Sequence, residues 1–211
     1  DGTISLIRDG WQNVMVPMMI DILMETPTDE SHKQLESTVV KFVDKLTGKQ
    51  TIYQMIQLCE EVRKRGGTAK EPLDYKDMYN NRLLPIVNDR IAKLENQEIK
   101  SEDLRVPMSL EFLQKLTTYN IKCYLASGTD IEFVKHEAKL LGVAEYFDGG
   151  IFGALRDFSK FSKEMVIKKI LEDFNLHGSE LLIVGDGYVE IQNAKSANAI
   201  AVGIVTKENN I

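Results

Sequence analysis

The chain has 211 residues, 43% of them hydrophobic and 27% charged, with a net charge of −6. A chain of this size buries one good core, or one core plus a smaller attached domain. Its acidic balance argues against nucleic acid or an anionic membrane as the main partner. No apolar run approaches the ~18 residues that span a bilayer, and the nearest, VMVPMMIDILM, is broken by Pro17 and Asp21. A phosphorylated substrate stays compatible with this charge, because a metal ion neutralises phosphate locally.

The chain opens on Asp1-Gly2-Thr3. Asp-Gly favours a turn, so the tripeptide reads as the end of an element that precedes it. From Trp11 to about Arg105 the texture is helical, as in HKQLESTVVKFVDKLTG and TIYQMIQLCEEVRKRGG. Ile52, Met55, Ile56, Cys59 and Val62 recur at helical spacing. Gly48 and Gly66 stand where helix stops are expected, with Thr51 as the next cap. In VRKRGGTAKEP, the cations Arg63, Arg65 and Lys70 have two readings. They meet an anionic or polyhydroxy substrate group, or they complement a helix C-terminus before its glycine stop.

From Val106 the texture alternates. SLEFLQKLTTY reads as a helix capped by Ser109, IKCYLASGT as a strand and turn, and DIEFVKHEAKLLG as a helix stopped by Gly142. GGIFGAL reads as a strand and SKEMVIKKILEDFNL as a helix. ELLIVGDG reads as a buried strand, EIQNAKSAN as a helix and AIAVGIV as a last strand. Apolar strands alternating with helices predict a parallel sheet covered on both faces. Cys59 and Cys123 form no ligand-type pair and fit a reducing, cytoplasmic compartment.

In parallel α/β sheets, ligands bind beyond the carboxyl ends of the strands. Ser127, Gly128 and Thr129 follow one strand; Asp186 follows another, with Glu190 a helical turn on; Lys163 opens a helix between them. Hydroxyls and helix N-termini bind phosphate oxygens, lysine supplies a point charge, and carboxylates ligate Mg²⁺. Each residue also has a plainer role: Ser127 as a helix cap, Lys163 as a solvated charge, Asp186 as turn chemistry, and Glu190 as a first-turn carboxylate.

The order of these residues resembles that of haloacid dehalogenase (HAD) superfamily phosphohydrolases with a helical cap inserted after the first motif, of the phosphoglycolate and phosphoserine phosphatase kind. DGT matches the end of the family's Asp-x-Asp-Gly-Thr, CYLASGT its second motif at Ser127, FSKEMVIKKIL its third at Lys163, and LLIVGDGYVEI its fourth at Asp186. Lys160 is the alternative third-motif lysine. The resemblance covers residues 1–9 and 106–211, expected as a Rossmann-like α/β core with helices on both faces. It leaves 10–105 as an all-α cap that closes over the site, with Arg8 and Trp11 at the hinge.

The resemblance implies an Mg²⁺-dependent phosphatase acting on a small phosphorylated metabolite through an aspartyl phosphate. The nucleophilic Asp would stand two residues before Asp1, on a first strand lying between the strands that end in Ser127 and Asp186. The 211 residues include neither, which implies a trimmed N-terminus and, with less force, a missing C-terminal stretch. Asp1 aligns with the general acid, and its carbonyl with a metal ligand. Asp186 would bind Mg²⁺, with Glu190 holding a metal-bound water or orienting Asp186. Ser127, Gly128 and Lys163 would hold phosphate, and Arg65 the rest of the substrate. Neither nucleic acid nor membrane is expected as a partner, and a monomer or homodimer fits equally. Alternatives are a phosphomutase, a phosphonate hydrolase, or a non-catalytic binding or regulatory domain of the same fold. A dehalogenase would not need the Asp186 and Glu190 pair and ranks low.

Overall fold

The computed structural model describes residues 2–205. They divide into two compact units. The first takes in Gly48–Gln50 and the described parts of Asp1–Asp9 and Asp89–Ile211; the second is Gly10–Thr47 and Thr51–Asn88.

The second unit is helical. It contains α1 (Gln12–Met24), α2 (His32–Leu46), α3 (Thr51–Lys64) and most of α4 (Pro72–Glu95). Ile52, Met55, Cys59 and Val62 line the buried stripe of α3 as their spacing predicts, joined by the fully buried Leu58. Helix α1 continues through Pro17. The proline forfeits one backbone hydrogen bond, but Met15, Met18, Met19 and Leu23 are completely buried around it. Gly48 and Gly66 follow α2 and α3 with φ of +94° and +73°, the left-handed stops expected there.

The first unit holds α5 (Ser109–Thr118), β1 (Tyr124–Asp130), α6 (Ile131–Leu140), β2 (Gly150–Ala154) and α7 (Lys163–Asp173). After these come β3 (Leu182–Gly185), α8 (Tyr188–Ser196) and β4 (Ile200–Gly203). This is the expected alternation. Strand β1 pairs in parallel with β2, and β3 with β4. Among the described residues no ladder joins β1 to β3. A cavity of about 800 Å³ opens along their inner edges, lined by Tyr124, Leu125 and Ala126 on one side and Leu182, Ile183 and Val184 on the other.

Three local expectations need correction. Strand β3 is only partly buried: Leu182 is 41% exposed, and among the described residues no ladder covers its inner edge. Ser109 does not cap α5; it lies within the helix, and Met108 takes the cap position with φ of 64°. The division between units falls at Asp89 rather than Val106. There the composition shift marks where strands begin in sequence, while contacts tie the preceding residues to the core. Arg90 donates to the carbonyls of Ile7 and Asp9 at 2.7 and 2.8 Å, and Leu6 N–H donates to Leu104 O at 2.8 Å.

Candidate phosphoryl site

The site forms where β1 and β3 end. In β1 the register is irregular between Ala126 and Asp130, so Ser127, Gly128 and Thr129 leave the regular ladder. The Ser127 hydroxyl accepts from the Thr129 N–H at 3.2 Å. It does not cap α6, whose cap position is Asp130. The carbonyl of Lys49 lies so close over Gly128 that a Cβ there would overlap it. Gly128 is therefore required for close backbone approach.

Beyond β3, Asp186 is exposed. Its Oδ1 accepts from the Thr3 hydroxyl at 2.6 Å, and its carboxylate lies against Gly2. Glu190, in the first turn of α8, is 7% exposed. The Lys163 ammonium donates to Glu190 Oε1, while Oε2 is buried without a hydrogen-bond partner among the described residues. Lys163 begins α7, whose cap is Ser162: its Oγ accepts from the Met165 N–H at 3.1 Å. Ser127, Lys163, Asp186 and Glu190 all line the same cavity, giving its apolar body a polar end.

The two candidate lysines separate clearly. Lys160 is 72% exposed and pairs with Asp157 at 3.4 Å, whereas Lys163 sits in the cavity wall. Glu190 pairs with Lys163 rather than with Asp186. A carboxylate this buried is stabilised by a neighbouring cation, and Asp186 takes the Thr3 hydroxyl instead. Asp1 lies outside the described residues.

Arg65 has internal partners in the helical unit. Its Nε and Nη2 donate to the two Glu30 carboxylate oxygens at 2.5 and 3.0 Å, and Nη1 donates to Glu61 Oε2 at 2.7 Å and Glu61 O at 3.0 Å. The Arg65 hydrogen bond holds the Glu30 carboxyl below its ordinary range. Burial pushes Glu61 up, but the hydrogen bonds from Lys64 and Arg65 outweigh it, and the net direction is down. This network occupies the guanidinium expected to meet substrate. Arg63 and Lys70 are exposed. Arg8 packs: it donates to Glu137 Oε1 at 2.7 and 2.9 Å and lies 4.9 Å over the Phe133 ring.

Two contributors escaped the sequence pattern. Thr3 stands in the sequence only as the end of DGT, and its hydroxyl meets Asp186, 183 residues away. Gly48 read as a helix stop, yet a Cβ on it would fall 2.8 Å from Glu190 Oε2. The positive φ and the absence of a side chain at Gly48 were legible; their partner was not.

A family model described as haloacid dehalogenase-like hydrolase matches residues 70–198, more than half the chain. The chain belongs to this family. It is 25% identical over 146 residues to PpaX of Clostridium perfringens (strain 13 / Type A), a protein named as a pyrophosphatase. That match covers 69% of this chain and 66% of the relative, so it spans just under two thirds of the relative's length. Among solved structures, the chain is similar to a HAD hydrolase, family IA, variant 3, from Entamoeba histolytica HM-1:IMSS, with TM-score 0.60, 20% identity, and coverage of 99% of this chain and 82% of that one. It is also similar to a predicted phosphoglycolate phosphatase from Haemophilus somnus 129PT, with TM-score 0.60, 15% identity, and coverage of 96% and 81%. These likenesses show the fold: the HAD-family chain is a Rossmann-like α/β protein with helical additions.

Proposed function

We propose that this HAD-family chain is a cytoplasmic, divalent-metal-dependent phosphatase acting on a small phosphorylated metabolite. One observation carries the reading. A hydroxyl (Ser127), an ammonium (Lys163) and an exposed carboxylate (Asp186) line one cavity at the ends of β1 and β3.

Ser127 and the backbone at Gly128 hold phosphoryl oxygens. Lys163 offsets the charge that grows on them, and Glu190 keeps its ammonium aimed. The donor set suits Mg²⁺, a hard cation bound through one or two carboxylates while keeping several waters. Asp186 offers an exposed carboxylate, and Glu190 a buried oxygen without a partner. Among the described residues no cluster of three or more potential ligands forms; in the family pattern the remaining ligands are the Asp1 carbonyl and the residue two before it. When bound, the ion neutralises phosphate charge. In the family pattern the attacking carboxylate would come from that same earlier position. Its oxygen bonds to phosphorus as the ester P–O bond breaks, and Asp1 gives its proton to the leaving oxygen. Water then attacks phosphorus, Asp1 takes its proton, and the aspartyl carboxylate is released.

The test is phosphate release from a chromogenic phosphomonoester, with Mg²⁺ and with chelator, by isolated protein whose N-terminus has been sequenced. Protein with Asp two residues before Asp1 is expected to turn over with Mg²⁺ and to stop with chelator. The same protein releasing no phosphate from a panel of phosphomonoesters would overturn the proposal in favour of a non-catalytic binding role.

A further inference from the structure

Three residues between α2 and α3, Gly48–Gln50, belong to the first unit although their neighbours in sequence belong to the second. Each meets a different part of the site. Gly48 lies over the Glu190 carboxylate, and the Lys49 carbonyl covers Gly128. Gln50 is 4% exposed. Its amide nitrogen donates twice, to Phe158 O at 3.0 Å and Phe161 O at 2.6 Å. Its Oε1 is buried with no partner among the described residues.

A buried amide with an unpartnered oxygen is costly compared with an apolar side chain of similar size. What the position uses is therefore the donor. The two carbonyls bracket the turn Phe158–Phe161, and the next residues are Ser162, the α7 cap, and Lys163. The Phe161 side chain anchors the same turn in a cluster with Ala154, Val166 and Ile170. Backbone and side chain are thus fixed independently just before the site lysine.

We propose that Gln50 is a positioning residue for Lys163. By tying down both ends of the turn, it sets where α7 begins and holds the ammonium on Glu190 at the cavity wall. Gln50 acts through Lys163. Its catalytic meaning rests on the phosphoryl-site reading; its effect on Lys163 does not.

The test uses Gln50→Met, which keeps length and removes both donors, and Gln50→Glu, which sets a carboxylate against two carbonyls. The first readout is acetylation of Lys163 by limiting acetic anhydride, measured by peptide mass spectrometry with Lys100 (77% exposed) as internal reference. In the wild type Lys163 is labelled slowly, because its ammonium is hydrogen-bonded and its side chain only 17% exposed. In both variants its relative labelling is expected to rise about fivefold, the equilibrium equivalent of one hydrogen bond. The second readout is turnover, where kcat is expected to fall about tenfold or more with a smaller change in KM. Lys163 labelling unchanged in folded variants, with only the melting temperature lowered, would overturn the proposal. Raised labelling in a protein without phosphatase activity would retain it while removing the phosphatase reading. Should Gln50→Met fail to fold, Gln50→Asn, an amide one methylene shorter, carries the same labelling readout.

Discussion

The two units solve the same burial problem with different materials. In the helical unit, Met15, Met18, Met19, Leu23, Leu35, Met55 and Leu58 are completely buried. In the α/β unit, β4 is exposed along its whole length and β1 is half-buried along its own. A helix closes its backbone hydrogen bonds within itself and needs neighbours only for its apolar stripe. A buried strand also needs hydrogen-bond partners along each edge. The helical unit therefore closes its backbone hydrogen bonds within its own helices, while among the described residues β1 and β3 each present one edge to the cavity rather than to a ladder.

That contrast can be broken or sharpened by mutation. The largest loss is expected from Arg8→Ala, in the α/β unit. It strands the Glu137 carboxylate, whose side chain is 7% exposed, and breaking a buried pair costs about 3–5 kcal/mol. Next comes Leu58→Ala in the helical unit, where truncating a fully buried leucine costs about 2–5 kcal/mol. Its counterpart Val202→Ala, on β4 and 40% exposed, is expected to cost about 0.5 kcal/mol or less. Denaturant titration of the variants reads all three. Equal losses at Leu58 and Val202 would contradict the contrast.

Arg65→Ala is expected to cost about 2–3 kcal/mol near neutral pH, below the full buried-pair value because Glu30 is 35% exposed. The effect depends on pH. Glu30 and Glu61 both have folded-state values below their ordinary 4.5. Their contribution is fully present above that value and is lost as pH falls through the depressed folded values. The gap between wild type and Arg65→Ala should therefore close in acid, as melting curves from pH 7 down to pH 3 would show. A constant gap would mean that Arg65 stabilises through packing alone. Hydrogen exchange reads the same contrast without mutation: amides on the inner edges of β1 and β3 should exchange at least about 100-fold faster than those of α3.

Much of this was legible in the sequence because it is local. The stripe from Ile52 to Val62, the stops at Gly48 and Gly66, and the alternation after Val106 all follow from spacing and backbone preference. The ends of β1 and β3 told where Ser127 and Asp186 would gather. Long-range pairing was not legible. Nothing near Glu190 says that its carboxylate meets Lys163, and nothing near Arg65 says that Glu30, 35 residues earlier, claims the guanidinium. Sequence favours Lys163 over Lys160 as the third-motif lysine, and the two separate fully only when one lines the cavity and the other stands in solvent. The position of Gln50 was hidden for a further reason: its partners are backbone carbonyls, which carry no signature of residue type.

The proposed function assigns phosphate chemistry to Lys163 in the α/β unit and not to the cations of the helical unit. The most direct measurement is kcat/KM for a phosphomonoester in wild type, Lys163→Ala and Arg65→Ala, each at a temperature where it is folded. Loss of about 10²–10³ is expected for Lys163→Ala, the scale of removing one group that stabilises transition-state charge. For Arg65→Ala the expected change is within about threefold, since its bonds are all made to Glu30 and Glu61. The reverse order, with Lys163→Ala near wild type and Arg65→Ala crippled, would contradict the account.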